Sequence, residues 1–141
     1  MTREQAWQLV CEWTKSDSLR KHMLAVESAM RHYAELLGQD VETWGVVGLL
    51  HDFDYERYPD VPAHTTEGAK ALREMGVDEE IVACILSHAD WHQDDYPREA
   101  TPMRRALSAV DELTGFITAV ALVRPSRSLH DLQAKSVRKK M

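Results

Sequence analysis

The chain has 141 residues, 44% hydrophobic and 28% charged, with a formal net charge of −6. That length suits one domain around a single core, and the acidic balance excludes a dedicated nucleic-acid binder, which needs a basic face to neutralise phosphates. No apolar run approaches the roughly 18 residues of a membrane span, and MTREQAWQLVCEW lacks the basic, apolar, small order of a secretory signal, so a cytoplasmic protein is expected.

Residues 3–14 place Trp7, Val10 and Trp13 at helical spacing. Ser16 or Asp17 is suited to cap a second helix whose apolar line runs Leu19, Met23, Val26, Met30, Tyr33, Leu36 and Leu37, with Gly38 as its terminating glycine. Asp40 can cap a third, VETWGVVGLLHD, apolar nearly all round and so expected to be buried. The prolines and scattered charges of FDYERYPDVPAH predict a loop. A helix begins after His64, capped by Thr65 or Thr66, and stops near Gly76. Asp78 starts another, DEEIVACILSHA, whose early acids complement the dipole. After the polar loop DWHQDDYPREA, Thr101 and Pro102 form a cap followed by a first-turn proline, opening a helix to about Val123. Pro125 breaks it, and Ser126 is read as the cap of a final amphipathic helix over 126–141. Its abrupt basic end, KSVRKK, suits a helix C-terminus and suggests a flexible or missing tail beyond. No strand alternation or repeat intervenes. The reading is all-α, one domain over 1–141 with about six to seven helices. Cys11 and Cys84 belong to no CxxC pair and read as small core hydrophobes. Trp7, Trp13 and Trp44 suit either core or interface, and a dimer stays open.

The seven histidines matter by position. His51 and Asp52 stand together at the end of the most apolar helix. Neighbours on a helix point about 100° apart, but at a helix end the chain can turn and bring imidazole and carboxylate to one centre. An ionised Asp after VVGLL is costly to bury unless paired or bound to a cation. His22 lies on the stripe of Met23, Val26 and Met30; Asp111 lies inside ALSAVDELTGF; His88 ends IVACILSH; His64 opens the helix after the first loop. Taken singly, each has an ordinary reading: a core histidine, an arginine partner, a dipole neutraliser. Together, carboxylates and imidazoles from several helices need a shared partner, which divalent ions supply. Mixed imidazole and carboxylate donors suit iron, manganese, zinc, cobalt or nickel.

His22, then His51-Asp52, then Asp111, within LRKHMLAVESAM, VVGLLHDFDY, HTTEGAKAL, IVACILSHAD and ALSAVDELTGF, resembles the HD superfamily of metal-dependent phosphohydrolases over about residues 18–120. The resemblance implies a helical bundle and a two-metal site, because His64 and His88 fall at the positions of the two additional histidines of two-ion members, which commonly hold iron. In that arrangement Asp52 bridges both ions, His22, His51 and Asp111 complete one site, and His64 and His88 the other. The Gly-Tyr-Pro signature of cyclic-di-GMP phosphodiesterases is missing, and His88-Ala-Asp-Trp stands where dinucleoside-polyphosphate hydrolases usually continue His-Thr-x-Gly.

The resulting expectation is a phosphohydrolase that cleaves an ester or anhydride in a small phosphorylated molecule, a nucleotide above all, with metal-activated water. Asp52 and Asp54 are the candidate catalytic carboxylates, Asp54 by orienting water or protonating the leaving group. Lys21, Arg57, Arg104 and Arg105 are candidate phosphate contacts. His92 is read as exposed loop, and His32 and His130 as structural or solvated. Two alternatives share the ligand set: a mixed-valent di-iron oxygenase acting on an organic or organophosphonate substrate, and a non-catalytic module in which metal only stabilises the fold.

Overall fold

The burial of the third helix on every side explains most of the architecture. In the computed structural model, which describes residues 1–141, α1 spans Arg3–Trp13, α2 Asp17–Leu36 and α3 Val41–Leu50. Asp40 caps α3 by accepting from the backbone N–H groups of Glu42 and Thr43, and every residue from Trp44 to Leu50 is buried. The helix is surrounded by α1, α2 and two helices that follow later in the chain. Leu49 and Leu50 are fully enclosed, each contributing about 1.5–3 kcal/mol. Gly48 lets α2 approach: a Cβ there would lie 2.9 Å from the Glu27 Cα.

α2 is capped by Ser16, which accepts from the Leu19 N–H, and turns Met23, Val26, Met30 and Ala34 inward. Glu27 shares that buried face, where an unpartnered carboxylate would be costly. Arg3 of α1 and Arg31 of α2 donate to it at 2.6 and 3.0 Å, tying the first two helices together.

After α3 the chain turns through 51–62 into α4, Ala63–Glu74. His64 (φ −55°, ψ 136°) and Thr65 (φ 66°) are not helical, so the regular helix starts beyond them. Neither expected cap hydroxyl caps: Thr65 donates to the His64 carbonyl, and Thr66 bonds His92. α5, Glu79–Ser87, and α6, Pro102–Leu122, are separated by short 3-10 turns at Asp90–His92 and Arg98–Ala100. Asp78 and Thr101 cap them as expected, accepting from the N–H groups of Glu80 and Arg104.

The expected helix over 126–141 is corrected. Residues 124–133 form turns, and α7 is only Ala134–Lys140, with Val137 its one buried residue. Ser126 donates to the Asp131 carboxylate instead of capping, Arg124 donates to the Asp131 carbonyl, and Arg127 adopts φ 49°. Local polar bonds outcompete a helix with almost nothing to bury. The architecture is all-helical, with seven helices and no strand, and no helix is long and apolar enough to cross a membrane.

Candidate metal centre

The four helices α2, α3, α5 and α6 bring donors together in two adjoining clusters. His51 and His88 stand at the C-terminal ends of α3 and α5, where the last carbonyls lack intrahelical partners. Each imidazole bonds through Nδ1 to the carbonyl three residues back, His51 to Gly48 at 2.8 Å and His88 to Ile85 at 2.5 Å. A carbonyl only accepts, so Nδ1 carries the proton and Nε2 the lone pair. Two apolar helices ending in His thus present fixed Nε2 ligands. His64 reaches the same state through Asp54, whose Oδ1 lies 2.9 Å from its Nδ1.

Asp52 lies in the turn just after α3 and divides its oxygens. Its Oδ2 is 3.3 Å from His51 Nε2 and 3.7 Å from His22 Nε2, while Oδ1 is 3.3 Å from both His64 Nε2 and His88 Nε2. Asp111, midway along α6, places Oδ1 at 3.0 Å from His22 Nε2 and 3.4 Å from His51 Nε2. His22, His51, Asp52 and Asp111 therefore form one cluster whose ligand atoms lie within 4.8 Å of one another; Asp52, His64 and His88 form a second on the same criterion. Asp52 alone belongs to both.

This packing fits a cation. With the His51 proton committed to Nδ1, its Nε2 lone pair faces two carboxylate oxygens and the Nε2 of His22 at 3.2 Å. His64 and His88 face Asp52 in the same way. Acceptor against acceptor is repulsive unless positive charge sits between them. The local field favours such charge. Burial pushes the His51 imidazole down, but Asp52 and Asp111 outweigh it and raise it well above its usual value. Burial likewise opposes the charged form of His64, and Asp52 with Asp54 lifts it to about 9. Asp52 and Asp111, pushed up by burial, are nonetheless held below the usual carboxylate range by these imidazoles.

A family model for the HD domain matches residues 19–115, a stretch containing all six donors. The chain belongs to the HD domain family. Comparison with curated proteins and with solved structures finds no further match. HD domains are mostly metal-dependent hydrolases, and this one has the divalent-metal donor set in place.

Other expected site residues of this HD domain lie elsewhere. Asp54, the candidate for orienting water or protonating the leaving group, is 1% exposed and does not line the cleft at the cluster; its oxygens are taken by His64 and the Gly68 N–H. The four basic candidates for phosphate contact do not line this cleft. Lys21 pairs with Asp17 on the exposed face of α2. Arg57 lies over the Trp13 ring and donates to the Glu12 carbonyl. Arg104 and Arg105 donate to the carbonyls of Pro97 and Glu99. The cleft, about 270 Å³, is lined instead by Tyr55, Asp90, Trp91, Arg98, Ser108 and Glu112 beside the donors. Sequence reasoning missed Arg98 and Trp91 because both sit in the DWHQDDYPREA loop, where no periodicity gives a side-chain direction. His32 and His130 are exposed, whereas His92 is half-buried against Thr66.

Proposed function

We propose that this HD domain is a metal-dependent phosphohydrolase that cleaves a phosphate ester or anhydride in a small molecule, a nucleotide above all. The observation that carries the reading is Asp52, whose two oxygens face two separate sets of imidazoles. His22, His51 and Asp111 would hold one ion, His64 and His88 the other, and Asp52 both. Iron is the leading metal on family resemblance; manganese, zinc, cobalt and nickel suit the same donors. When bound, such ions neutralise phosphoryl oxygens and lower the pKa of water toward about 7.

The chain's own residues support a small anionic substrate with a flat ring. Carboxylates of Asp52, Asp90, Asp111 and Glu112 line the cleft with Arg98 as its one cationic side chain of the Lys or Arg type, so a phosphate is repelled until cations occupy the donors. Arg98 is anchored by Asp90 at 2.7 Å and by the His88 carbonyl, which holds its guanidinium at the cleft wall, where such a fork suits a phosphoryl oxygen. Tyr55 and Trp91, both partly exposed, flank His64 with ring centroids 5.1 and 5.8 Å away. Aromatic faces beside a phosphate site suit stacking of a base. Two unpaired cysteines, Cys11 and Cys84, accord with a reducing compartment such as the cytoplasm.

The test is metal analysis of protein purified without chelator, then a phosphatase and phosphodiesterase screen with added Mn²⁺, run with and without oxygen. Phosphate release that persists anaerobically is expected. Turnover that requires oxygen, or full turnover by Asp52→Asn, would overturn the proposal.

A further inference from the structure

We infer that Asp54 is a positioning residue that fixes His64 as a ligand, and so decides whether the Asp52, His64 and His88 half of the centre holds its ion. The inference rests on the two-ion reading above. Of the three imidazoles with a fixed Nδ1 partner, His51 and His88 use carbonyls of their own helices. His64 has no such carbonyl. It lies in extended backbone ahead of Thr65, whose φ of 66° is rare for a β-branched residue, and the turn before it, closed by the His64 N–H on the Asp60 carbonyl, offers its ring no such partner. Asp54 supplies the missing acceptor from ten residues upstream.

The carboxylate is built for that task. Asp54 is 1% exposed, and a buried carboxylate persists only when its oxygens are hydrogen-bonded. His64 Nδ1–H donates to Oδ1 at 2.9 Å and the Gly68 N–H to Oδ2 at 2.8 Å. The four-residue spacing from His64 to Gly68 thus delivers a side-chain donor and a backbone donor to one group. Glycine is required at the second position because a Cβ would lie 2.7 Å from Asp54 Oδ2 and 3.0 Å from the Phe53 ring. An ionised carboxylate only accepts, which forces the proton onto His64 Nδ1 and turns the Nε2 lone pair toward Asp52 Oδ1.

An asparagine keeps the shape and breaks the logic. If its oxygen accepts from Gly68, its NH₂ group faces His64 Nδ1, which must then accept. The imidazole proton moves to Nε2, and His64 becomes a donor toward Asp52 instead of a ligand. The opposite amide orientation sets NH₂ against the buried Gly68 N–H and leaves that donor unsatisfied.

The experiment is equilibrium dialysis of chelator-stripped protein against Mn²⁺ with metal analysis, for wild type, Asp54→Asn and Gly68→Ala. Wild type should bind two equivalents. In both variants the first should bind with wild-type affinity and the second about 10–100-fold more weakly. On Zn²⁺-loaded protein, ¹⁵N-resolved NMR should find all four ligand imidazoles, His22, His51, His64 and His88, in the Nδ1–H form in wild type and His64 alone converted in Asp54→Asn, a change that a merely structural role would not produce. Gly68→Ala, which displaces the carboxylate without removing it, carries the test if Asp54→Asn does not fold. Two equivalents at wild-type affinity in the variants, or equal loss of both, overturns the assignment of Asp54. A wild type that binds fewer than two equivalents overturns the two-ion reading itself.

Discussion

The two halves of the centre are built differently. His22, His51 and Asp111 come from α2, α3 and α6, helices packed directly against one another. His64 comes from a non-helical segment and keeps its direction only through Asp54. One half takes all its private donors from core helices, whereas the other takes His88 from the end of α5 and His64 from the edge of a loop, where a side-chain hydrogen bond fixes the ring. The first should survive local damage and fail only with the fold; the second should fail alone.

The shared residue gives the largest effect. Asp52→Asn should remove ions from both halves and lower phosphate release by about 10³-fold or more, with circular dichroism and metal analysis separating loss of site from loss of fold. His88→Ala should leave one ion bound, because its Nε2 faces only Oδ1 of Asp52. Its activity should sit between wild type and Asp52→Asn, and an Asp52→Asn protein that outperforms it would erase the distinction between shared and private ligands.

Gly48→Ala probes the scaffold of the first half. The new Cβ meets α2 backbone at Glu27, and overpacking of this kind costs about 1–3 kcal/mol. Chemical denaturation should register that loss together with weaker binding at His22 and His51, while Gly68→Ala should leave global stability much closer to wild type.

A smaller effect is read through pH. The His64 imidazole is raised from its usual value near 6.5 to about 9 in the folded chain, so its stabilisation is complete below about 6.5 and lost as pH rises through 9. Asp111 is held low, so its share is present above the usual carboxylate range and lost only in acid. The melting temperature of chelator-stripped protein should therefore be flat from about pH 5 to 6.5 and fall by several degrees toward pH 9. Bound cations replace the protons, and the metal-loaded protein should lack that fall. A stripped protein that gains stability across this range would refute the charge arrangement around Asp52.

This contrast also marks what was legible in the sequence. The helices declared themselves through 3.6-residue periodicity and their caps Ser16, Asp40, Asp78 and Thr101, and the core-borne donors were visible as polar residues on apolar stripes or at apolar helix ends. Residues whose direction is set by tertiary contact were not. Asp54 reads as a carboxylate for water or leaving group, and its partnership with His64 and Gly68 is invisible until the fold closes them on it. Arg98 and Trp91 sit in a loop with no repeat to orient them. Past Val123 the Pro125 break and the Ser126 cap suggested a helix over 126–141, but too little apolar surface is buried there to hold more than Ala134–Lys140.

The most direct test of the account is anomalous diffraction from crystals soaked in Mn²⁺. Two peaks about 3.5–4 Å apart are predicted, one among His22, His51 and Asp111, the other between His64 and His88, with Asp52 reaching both. A single ion that contacts all six side chains, or peaks away from Asp52, would contradict it.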